Sequence, residues 1–552
     1  MRKLQQVTLL VFLVCLAVGA ASGQSFRVQC PTSTITHPVA ANNNSEPAYK
    51  GATVFTTGAN GFLVPSPSTV NGAIKCQQIS GGDGYATMAD GTQTYMFSFG
   101  PLSGVADMAA GKPATQFPSV FNTTYTGAPL QPGDPATADG AGDSSGYSVG
   151  NVNSSPTFTY NGAIGQVPDS DCLADPTCSA TIPASGIDGH VDPRQIMDIG
   201  VMNGNIPAPL MAFDEDDEYF LTLTNVGMIM RPDLFEQHTV HFHGYPNASA
   251  FYDGVPDASV AINIGASFTY YYLAPDAGTY FWHCHITPPE HLQMGMVGQL
   301  YVRPRQNRVP STTTLYAALN AQQNDLRTAC NSASDILCSN PLPAAGDNGA
   351  TGGYVNGVAT KKFAYNDGDG STYYDVEYPL QIHGFDPNFH FVGMTFNPED
   401  FFDMKDKYFL LNGRSYPDTV TAGPLATESA DGKMHFSQPL PSIINIPSGQ
   451  KALLRISDLD VTEFQTLASL GIPMHVIGYN AKLLRDQAGN NLDYYTNSIT
   501  LGGGESLDVI LDASDATKYP SGSVFYLYTP NLDHLSNDAE NFGGLMTEVR
   551  IN

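Results

Sequence analysis

Residues 267–302 read SFTYYYLAPDAGTYFWHCHITPPEHLQMGMVGQLYV, and this stretch contains three short apolar runs separated by Gly and Pro turns. The runs at 267–273, 278–282 and 297–302 are rich in Tyr, Phe, Val and Thr, which favour strands. A fourth run of the same kind, EYFLTLT, lies upstream at 218–224. Short strands at this spacing predict an antiparallel β-sandwich of about 110 residues.

The amino-acid composition divides the rest of the chain into segments. Strand-like runs recur in residues 405–552, which predict a second β unit. Residues 24–190 are rich in Gly, Pro, Ser, Thr and Asn and predict an irregular β-rich N-terminal extension. The predicted fold class is all-β, with a first unit at 191–305, a connecting segment at 306–404 and the second unit after it.

The charge balance restricts the possible partners. The chain has 552 residues, with 24 Lys and Arg against 52 Asp and Glu, and a formal net charge of −28. A surface of this sign repels polyphosphate, so the composition argues against a nucleic-acid partner.

The N-terminus and the cysteines both predict export. Residues 1–23 begin with a basic Met-Arg-Lys, continue with an apolar run and end in small residues, as a secretory signal peptide does. No later stretch reaches about 18 apolar residues, so no membrane span is predicted. Apart from Cys15 in the signal and Cys284, six of the eight Cys remain. This even number predicts three disulfides and a secreted or periplasmic location. Six Cys allow 15 connectivities, of which the one that joins neighbours in sequence is Cys30–Cys76, Cys172–Cys178 and Cys330–Cys338.

Two clusters of potential metal ligands lie in the first unit. They are HTVHFHG at 238–244 and WHCHI at 282–286, and His291, Met294 and Met296 follow the second. Side chains at i and i+2 of a strand share a face, so His241 points with His243, and His283 with His285. The side chain of Cys284 then points to the opposite face, and one strand can supply two metal sites.

The residue types favour copper. Two imidazoles, one thiolate and a weak axial Met form the blue-copper arrangement, and the matching residues are His238, Cys284, His291 and Met296. Zinc is the alternative metal, but a structural zinc site does not account for the Met. Met294 is the alternative axial ligand. The other four His of the clusters can hold further copper through neutral imidazole nitrogens.

These clusters resemble those of the multicopper oxidases and of the related two-domain copper nitrite reductases. HTVHFHG is similar to the family's His-x-x-His-x-His-Gly, and HCHITPPEHLQMGM to its His-Cys-His…His…Gly-Met element, with two extra residues between Cys and His. NGRSYPDT at 412–419 and MHVIGYNAKLL at 474–484 resemble parts of a later domain. The resemblance implies two cupredoxin-like Greek-key sandwiches, the second without type 1 copper.

The resemblance also implies roles for individual residues. Type 1 copper would be bound by His238, Cys284, His291 and Met296, and half of a type 2/type 3 cluster would be formed by His241, His243, His283 and His285. Asp253, in Tyr-Asp-Gly, resembles the family's acidic residue near the cluster, which can deliver protons to reduced oxygen. A turn residue before Gly is the alternative of equal weight for Asp253.

The chain departs from the oxidase pattern in its number of His pairs. A full cluster in this family uses four His-x-His pairs, and this chain has two among its 13 His. His243, His283 and His534 resemble the ligands of the nitrite reductase type 2 site, which lies between subunits of a trimer. His475 resembles the active-site His of those enzymes, whereas His241 stands where they have a catalytic Asp. A core His and a loop His are the alternatives for His475 and His534.

The predicted function is that of a secreted, laccase-like copper oxidoreductase. A small-molecule or metal-ion reductant is oxidised at type 1 copper, and electrons pass to a His-bound copper site that reduces dioxygen. Nitrite is the alternative acceptor, and a copper-binding electron-transfer protein or a structural envelope protein is the alternative outside the enzymes. Since half a cluster needs a partner face, a homotrimer is predicted.

Overall fold

The computed structural model describes most of the chain, and strands dominate it. The described residues are 28–122, 205–321 and 351–552, apart from gaps at 105–106, 109, 229–230, 232, 245–248, 265, 275, 394–400, 429–433 and 487. The all-β prediction is confirmed. The predicted signal peptide and Cys172, Cys178, Cys330 and Cys338 lie outside the described residues.

The first unit is a sandwich of two four-stranded sheets. Its strands, after the hairpin β1 (Phe55–Thr57) and β2 (Leu63–Pro65), are β3 (Ile74–Thr87), β4 (Gln93–Pro101), β5 (Met211–Asp214), β6 (Glu218–Gly227), β7 (His241–Phe242), β8 (Ser267–Leu273), β9 (Gly278–His283) and β10 (Val297–Arg303). One sheet has the order β4-β3-β6-β8 and the other β5-β10-β9-β7. Alternate residues of both sheets, such as Leu221 and Trp282, are fully buried in one shared core. Such two-sheet packing is what a β-sandwich requires.

The structure places part of the predicted N-terminal extension inside this sandwich. Strand β3 pairs in parallel with β6 and antiparallel with β4, so 74–101 supply two of the four strands of one sheet. Glycines that led to the prediction of an irregular extension at 24–190 allow close packing inside strand β3. A Cβ on Gly81 would lie 2.6 Å from Cδ2 of His238, and one on Gly82 would lie 2.8 Å from Cγ2 of Val226. Glycine inside a strand often marks such a close approach.

The second unit pairs a nine-stranded sheet with a five-stranded one. The remaining strands are β11 (Lys362–Phe363), β12 (Tyr373–Tyr374), β13 (Val376–Phe385), β14 (Tyr408–Leu411), β15 (Leu425–Glu428), β16 (Met434–Ser437), β17 (Ile444–Ile446), β18 (Lys451–Asp458), β19 (Gln465–Leu470), β20 (Met474–Tyr479), β21 (Lys482–Leu483), β22 (Tyr494–Thr496), β23 (Ser498–Leu501), β24 (Glu505–Asp512), β25 (Val524–Tyr528), β26 (Ser536–Asn537), β27 (Glu540–Asn541) and β28 (Met546–Ile551). The larger sheet runs β21-β20-β24-β18-β13-β14-β26-β27, with β22 beside β20, and the smaller runs β17-β28-β25-β19-β23. A second buried core lies between them.

This unit begins earlier in the chain than residue 405. Residues 376–385 fall in the predicted connecting segment 306–404, yet they form strand β13, which lies between β18 and β14 in the larger sheet. Pro379 argues against an interior strand because it cannot donate a ladder hydrogen bond. Strand β14 pairs with β13 only from Ile382 onward. Pro379 therefore has a paired strand, β18, on one side only, where its missing N–H is tolerated.

Helices are short. The α-helices are α1 (Pro118–Phe121), α2 (Pro288–Gln293), α3 (Leu315–Ala321) and α4 (Pro387–Gly393). Single 3₁₀ turns occur at Ala40–Asn44, Pro67–Thr69, Ala250–Tyr252, Arg305–Arg308, Phe401–Asp403, Asp418–Val420 and Leu532–His534. Within the part of the chain that the structure describes, no helix has the length and apolar character of a membrane span. A disulfide joins Cys30 and Cys76, as predicted. It links the segment before β3 covalently to that strand.

Candidate metal centre

A first donor cluster is formed by His238, Cys284 and His291. Cys284 follows β9, His291 lies on α2, and His238 is held by a β-bridge to Ile262. The Cys284 Sγ lies 3.3 Å from Nδ1 of His291 and 3.9 Å from Nδ1 of His238. All three side chains are fully buried. Two imidazole nitrogens and a thiol that converge in an apolar core are a donor set that could hold a metal ion.

The electrostatics of this cluster differ between its two imidazoles. Burial lowers the pKa of His238 well below its ordinary value. Burial also acts to lower the pKa of His291, but the negative charges of Cys284 and Glu236 outweigh it and raise the pKa to about 10. The Glu236 Oε2 lies 3.4 Å from Nε2 of His291, and the Glu236 side chain is partly exposed. Glu236 therefore joins the buried cluster to the surface.

Both methionines considered as axial ligands are fully buried beside the cluster. Met294 and Met296 belong to the same core as Cys284. The backbone N–H of Cys284 donates to the carbonyl of Met296 at 3.2 Å, so Met296 lies directly across from Cys284. Met296 as the axial ligand, with Met294 as its alternative, stays a prediction.

A second cluster lies on the other side of the strand. Donor atoms of His241, His243 and His283 lie within 4.8 Å of one another. The Nε2 atoms of His243 and His283 are 2.8 Å apart, and the His285 ring lies 5.0 Å from the His241 ring. The pairing of His241 with His283 across β7 and β9 sets this register. The strand alternation thus brings the predicted pairs together and separates them from Cys284.

The imidazoles of the second cluster are poised as neutral ligands. Burial, assisted by the neighbouring histidines, lowers the pKa of His243 to about 4, and burial lowers the pKa values of His241 and His283 as well. Metal ligation needs a neutral imidazole with a free nitrogen. The Nδ1 of His283 donates to the carbonyl of Cys284 at 2.7 Å, so in the neutral ring its Nε2, which faces His243, carries the lone pair.

Asp253 contacts the second cluster through His241. The Nδ1 of His241 donates to the Asp253 carbonyl at 2.7 Å, and the Asp253 carboxylate lies 3.6 Å from the same nitrogen. Partners of this kind fix the tautomer of a ligating His. Asp253 also precedes Gly254, whose φ is +81°, so its turn role and its contact with the cluster coexist.

His475 and His534 lie in the second sandwich and are part of neither cluster. The Nε2 of His534 pairs with Glu463 at 3.2 Å, its Nδ1 contacts Gln465 at 2.9 Å, and its ring stacks on Phe409. His475 pairs with Asp493 and stacks on Tyr495. Both imidazoles are therefore engaged by partners within their own unit.

A cavity of about 670 Å³ opens between the second cluster and the second sandwich. Its walls include His243 and His283 on one side and 459–464 and 502–505 on the other. Three of the lining residues are acidic: Asp460, Glu463 and Glu505. Sequence reasoning missed these residues and Glu236, because isolated carboxylates carry no spacing pattern. The one available signal was the position of Glu236, two residues before His238.

Comparison with known proteins covers the same region. Residues 188–307 match the multicopper oxidase family. A multicopper oxidase of Talaromyces pinophilus is 31% identical over 157 residues, covering 25% of this chain and 24% of its own length. A laccase of Emericella nidulans is 35% identical over 130 residues, covering 22% and 19%. A blue copper oxidase structure from Nitrosomonas europaea is 21% identical, covers 63% of this chain and 77% of its own, and has a TM-score of 0.40. The chain thus spans about a quarter or less of the length of these curated relatives.

Proposed function

We propose that this protein is a copper-dependent oxidoreductase that oxidises a small reductant and reduces dioxygen, because residues 188–307 match the multicopper oxidase family. The observation that carries the proposal is the pair of donor clusters on opposite sides of Cys284. One has a thiol and two imidazoles, and the other has only imidazoles.

The residues of both clusters fit copper. His238, Cys284 and His291, with Met296 as axial ligand, are the donor set of a blue-copper site, and copper held there would supply one-electron exchange. Donor atoms of His241, His243 and His283 converge, and the His285 ring lies beside that of His241, so these side chains offer imidazole nitrogens for a second copper site. The Nε2 of His238 is buried without a hydrogen-bond partner among the described residues, so this ring is held by packing and its Nδ1 faces the thiol.

The two clusters suit electron entry and exit. Electrons from the reductant enter near His291, where the partly exposed Glu236 carboxylate reaches the surface. They leave through Cys284, whose peptide neighbours are His283 and His285, and reach the acceptor at the second cluster. Glu290 lies near both His291 and Glu236, and the two carboxylates at this entry point suit a small cationic or metal-ion reductant.

The cavity beside the second cluster favours dioxygen over nitrite as the acceptor. Among its lining residues are three acidic side chains and no Lys or Arg. Nitrite is an anion, and an acidic cavity raises the free energy of bringing it to His243 and His283. Dioxygen is neutral and pays no such penalty.

The proposal also includes secretion and an oligomeric state. The basic, apolar and small-residue pattern of residues 1–23 supports a secreted protein. The homotrimer predicted from the two absent His pairs stays a prediction. The second sandwich of the same chain already lies against His243 and His283, so the cavity needs no partner subunit.

The deciding experiment measures copper per chain on the purified protein, together with its visible and EPR spectra and its oxygen uptake. We expect a blue absorption band, additional copper beyond the blue site, and oxygen uptake with a one-electron donor. Cys284→Ser should abolish the blue band and keep the additional copper, because the imidazole cluster does not include the thiol. Absence of copper after reconstitution would contradict the proposal, and one blue copper alone would indicate an electron carrier.

A further inference from the structure

Two carboxyl groups of the second sandwich meet beside the cavity. Asp406 lies just before β14 and Asp460 just after β18, and both are nearly fully buried. A Cβ on Gly384 of β13 would lie 2.2 Å from Oδ2 of Asp406 and 2.7 Å from Oδ2 of Asp460. The two carboxyl groups therefore both lie next to Gly384. Asp460 also lines the cavity together with His243 and His283.

A single hydroxyl group bridges the two acids. Oγ1 of Thr462 is in close hydrogen-bond contact with Oδ2 of Asp406 and lies 2.9 Å from Oδ1 of Asp460. A Thr hydroxyl has one hydrogen and can donate to only one of them. Both contacts are hydrogen bonds only if one acid carries a proton and donates it to the hydroxyl oxygen.

The remaining contacts identify which acid holds the proton. Oδ1 of Asp460 accepts the backbone N–H groups of Thr462 at 2.8 Å and Glu463 at 3.2 Å, and its Oδ2 accepts Nε2 of Gln465 at 2.6 Å. Such donors stabilise an ionised carboxylate. Asp406 accepts one side-chain donor besides the hydroxyl, Nε2 of Gln293 at 3.0 Å, and that bond goes to its Oδ1. The proton therefore belongs on Oδ2 of Asp406.

The surrounding charges reinforce this arrangement. Burial and the nearby Asp460 raise the pKa of Asp406 well above its ordinary value. His383 faces Asp460, and burial lowers the pKa of His383 against the opposing effect of that carboxylate. The other acids nearby are Asp458 and, next to it, Glu505. The flanking Lys405 and Lys407 are exposed, so no buried cation among the described neighbours neutralises the pair.

From this geometry we infer that Asp406, Thr462 and Asp460 form a proton relay that feeds the cavity beside the second cluster. The Asp406 Oδ2 proton moves to Oγ1 of Thr462 as the Thr462 proton moves to Oδ1 of Asp460. Asp460 then gives that proton to the reduced acceptor, the electrons come from the reductant, and a hydronium ion from bulk solvent reprotonates Asp406. Four such transfers and four electrons convert dioxygen to two water molecules. The inference rests on the proposed function for its acceptor, but not for the stored proton.

The stored proton is testable without copper. Infrared spectra of the metal-free full-length protein at pH 7 should contain a protonated-carboxyl stretch that Asp406→Asn removes. Glu540→Gln, which neutralises an exposed carboxylate of the same unit, should leave that stretch unchanged. An infrared spectrum in which Asp406→Asn removes no protonated-carboxyl band overturns the inference.

The relay itself is tested at Thr462 in the copper-loaded protein. Thr462→Val removes the bridging hydroxyl and should slow reoxidation of the reduced protein by dioxygen at least about tenfold, since a positioned acid typically contributes more than that. Thr462→Ser keeps the hydroxyl and should stay within about twofold of wild type, with copper content and the blue band unchanged in both. Equal reoxidation rates for the Val and Ser variants overturn the relay. If the wild-type protein consumes no oxygen, the proposed function fails and the relay fails with it, whereas the infrared result still reports the shared proton.

Discussion

At the residue scale, the order of donors around Cys284 determines what each side of the strand can bind. Cys284 joins His238 and His291 in the buried core, whereas its neighbours His283 and His285 lie with the imidazole cluster. This division follows from strand alternation and was predictable from the sequence. The carboxylates near these clusters were not predictable, because Glu236 and Asp460 come to the site through tertiary folding and not through a repeated spacing.

The axial ligand provides the sharpest residue-scale prediction. A weak axial thioether tunes the reduction potential of a blue copper site. Met296→Leu should raise the reduction potential, because loss of the sulfur donor destabilises oxidised copper more than reduced copper. Met294→Leu is the matched control and should leave the potential near wild type. Spectroelectrochemical titration of the blue band measures both, and a larger shift for the Met294 variant would assign the axial position to Met294.

At the scale of elements, glycines in β3 illustrate why two strands of the first sandwich were assigned to the N-terminal extension from sequence. The run Ser-Gly-Gly-Asp-Gly at 80–84 is typical of a turn by composition, yet it lies inside a 14-residue strand. Its glycines are required by the neighbours that approach the backbone, and such neighbours are visible only in the folded chain. The strands rich in Tyr and Phe, such as β8, needed no such context and were predicted correctly.

Gly81 should therefore control the first donor cluster. Gly81→Val places a branched side chain where Cδ2 of His238 lies, so the imidazole must move away from Cys284. We expect loss of the blue band and at least about tenfold weaker copper binding, a cost of 1.4 kcal/mol or more. Gly58→Ala, in the exposed β1–β2 hairpin, is the control and should retain the blue band. A normal blue band in Gly81→Val would show that β3 does not set the position of His238.

Glu377 on β13 links the two sandwiches and gives stability a pH dependence. It accepts Nε of Arg303 from β10 and Nε of Arg455 from β18, each at 3.1 Å. Burial acts to raise the pKa of Glu377, but the two guanidinium groups outweigh it and lower the pKa to about 2. A carboxylate with a depressed pKa stabilises the fold above its unfolded pKa, and this contribution is lost as the pH falls toward 2.

Glu377→Gln should lower the free energy of unfolding by about 3 kcal/mol at pH 7, because it removes the carboxylate shared by the partly exposed Arg303 and the buried Arg455, which keeps only Asp508 at 3.6 Å. The difference between variant and wild type should shrink as the pH falls from about 4.5 to 2. Denaturant titration at several pH values measures this. Glu548→Gln removes a surface pair with Arg550 and should cost at most about 1 kcal/mol. A pH-independent difference for Glu377→Gln would contradict the assigned role of its charge.

At the scale of the whole molecule, the formal net charge of −28 acts on every reductant that approaches. A field of one sign attracts cationic donors and repels anionic ones over distances comparable to the Debye length, about 10 Å at 0.1 M salt. Glu236 adds a local carboxylate where the first cluster comes nearest to the surface. The net charge and the Glu236 carboxylate therefore both favour the approach of cationic donors and disfavour that of anionic donors.

Ionic strength separates these contributions. The second-order rate of reduction of the blue site should fall with added salt for a cationic one-electron donor, rise for an anionic donor of similar potential, and stay constant for a neutral donor. Stopped-flow bleaching of the blue band measures each rate. Glu236→Gln should reduce the cationic rate while leaving most of its salt dependence, because the remaining negative charges still steer the approach. If the variant loses the salt dependence altogether, Glu236 alone selects the donor. If the reduction rate of no donor changes with salt, electrons enter at a face where the net charge has no effect. The acidic cavity is then the site where charge determines which small molecule reaches the copper ligands.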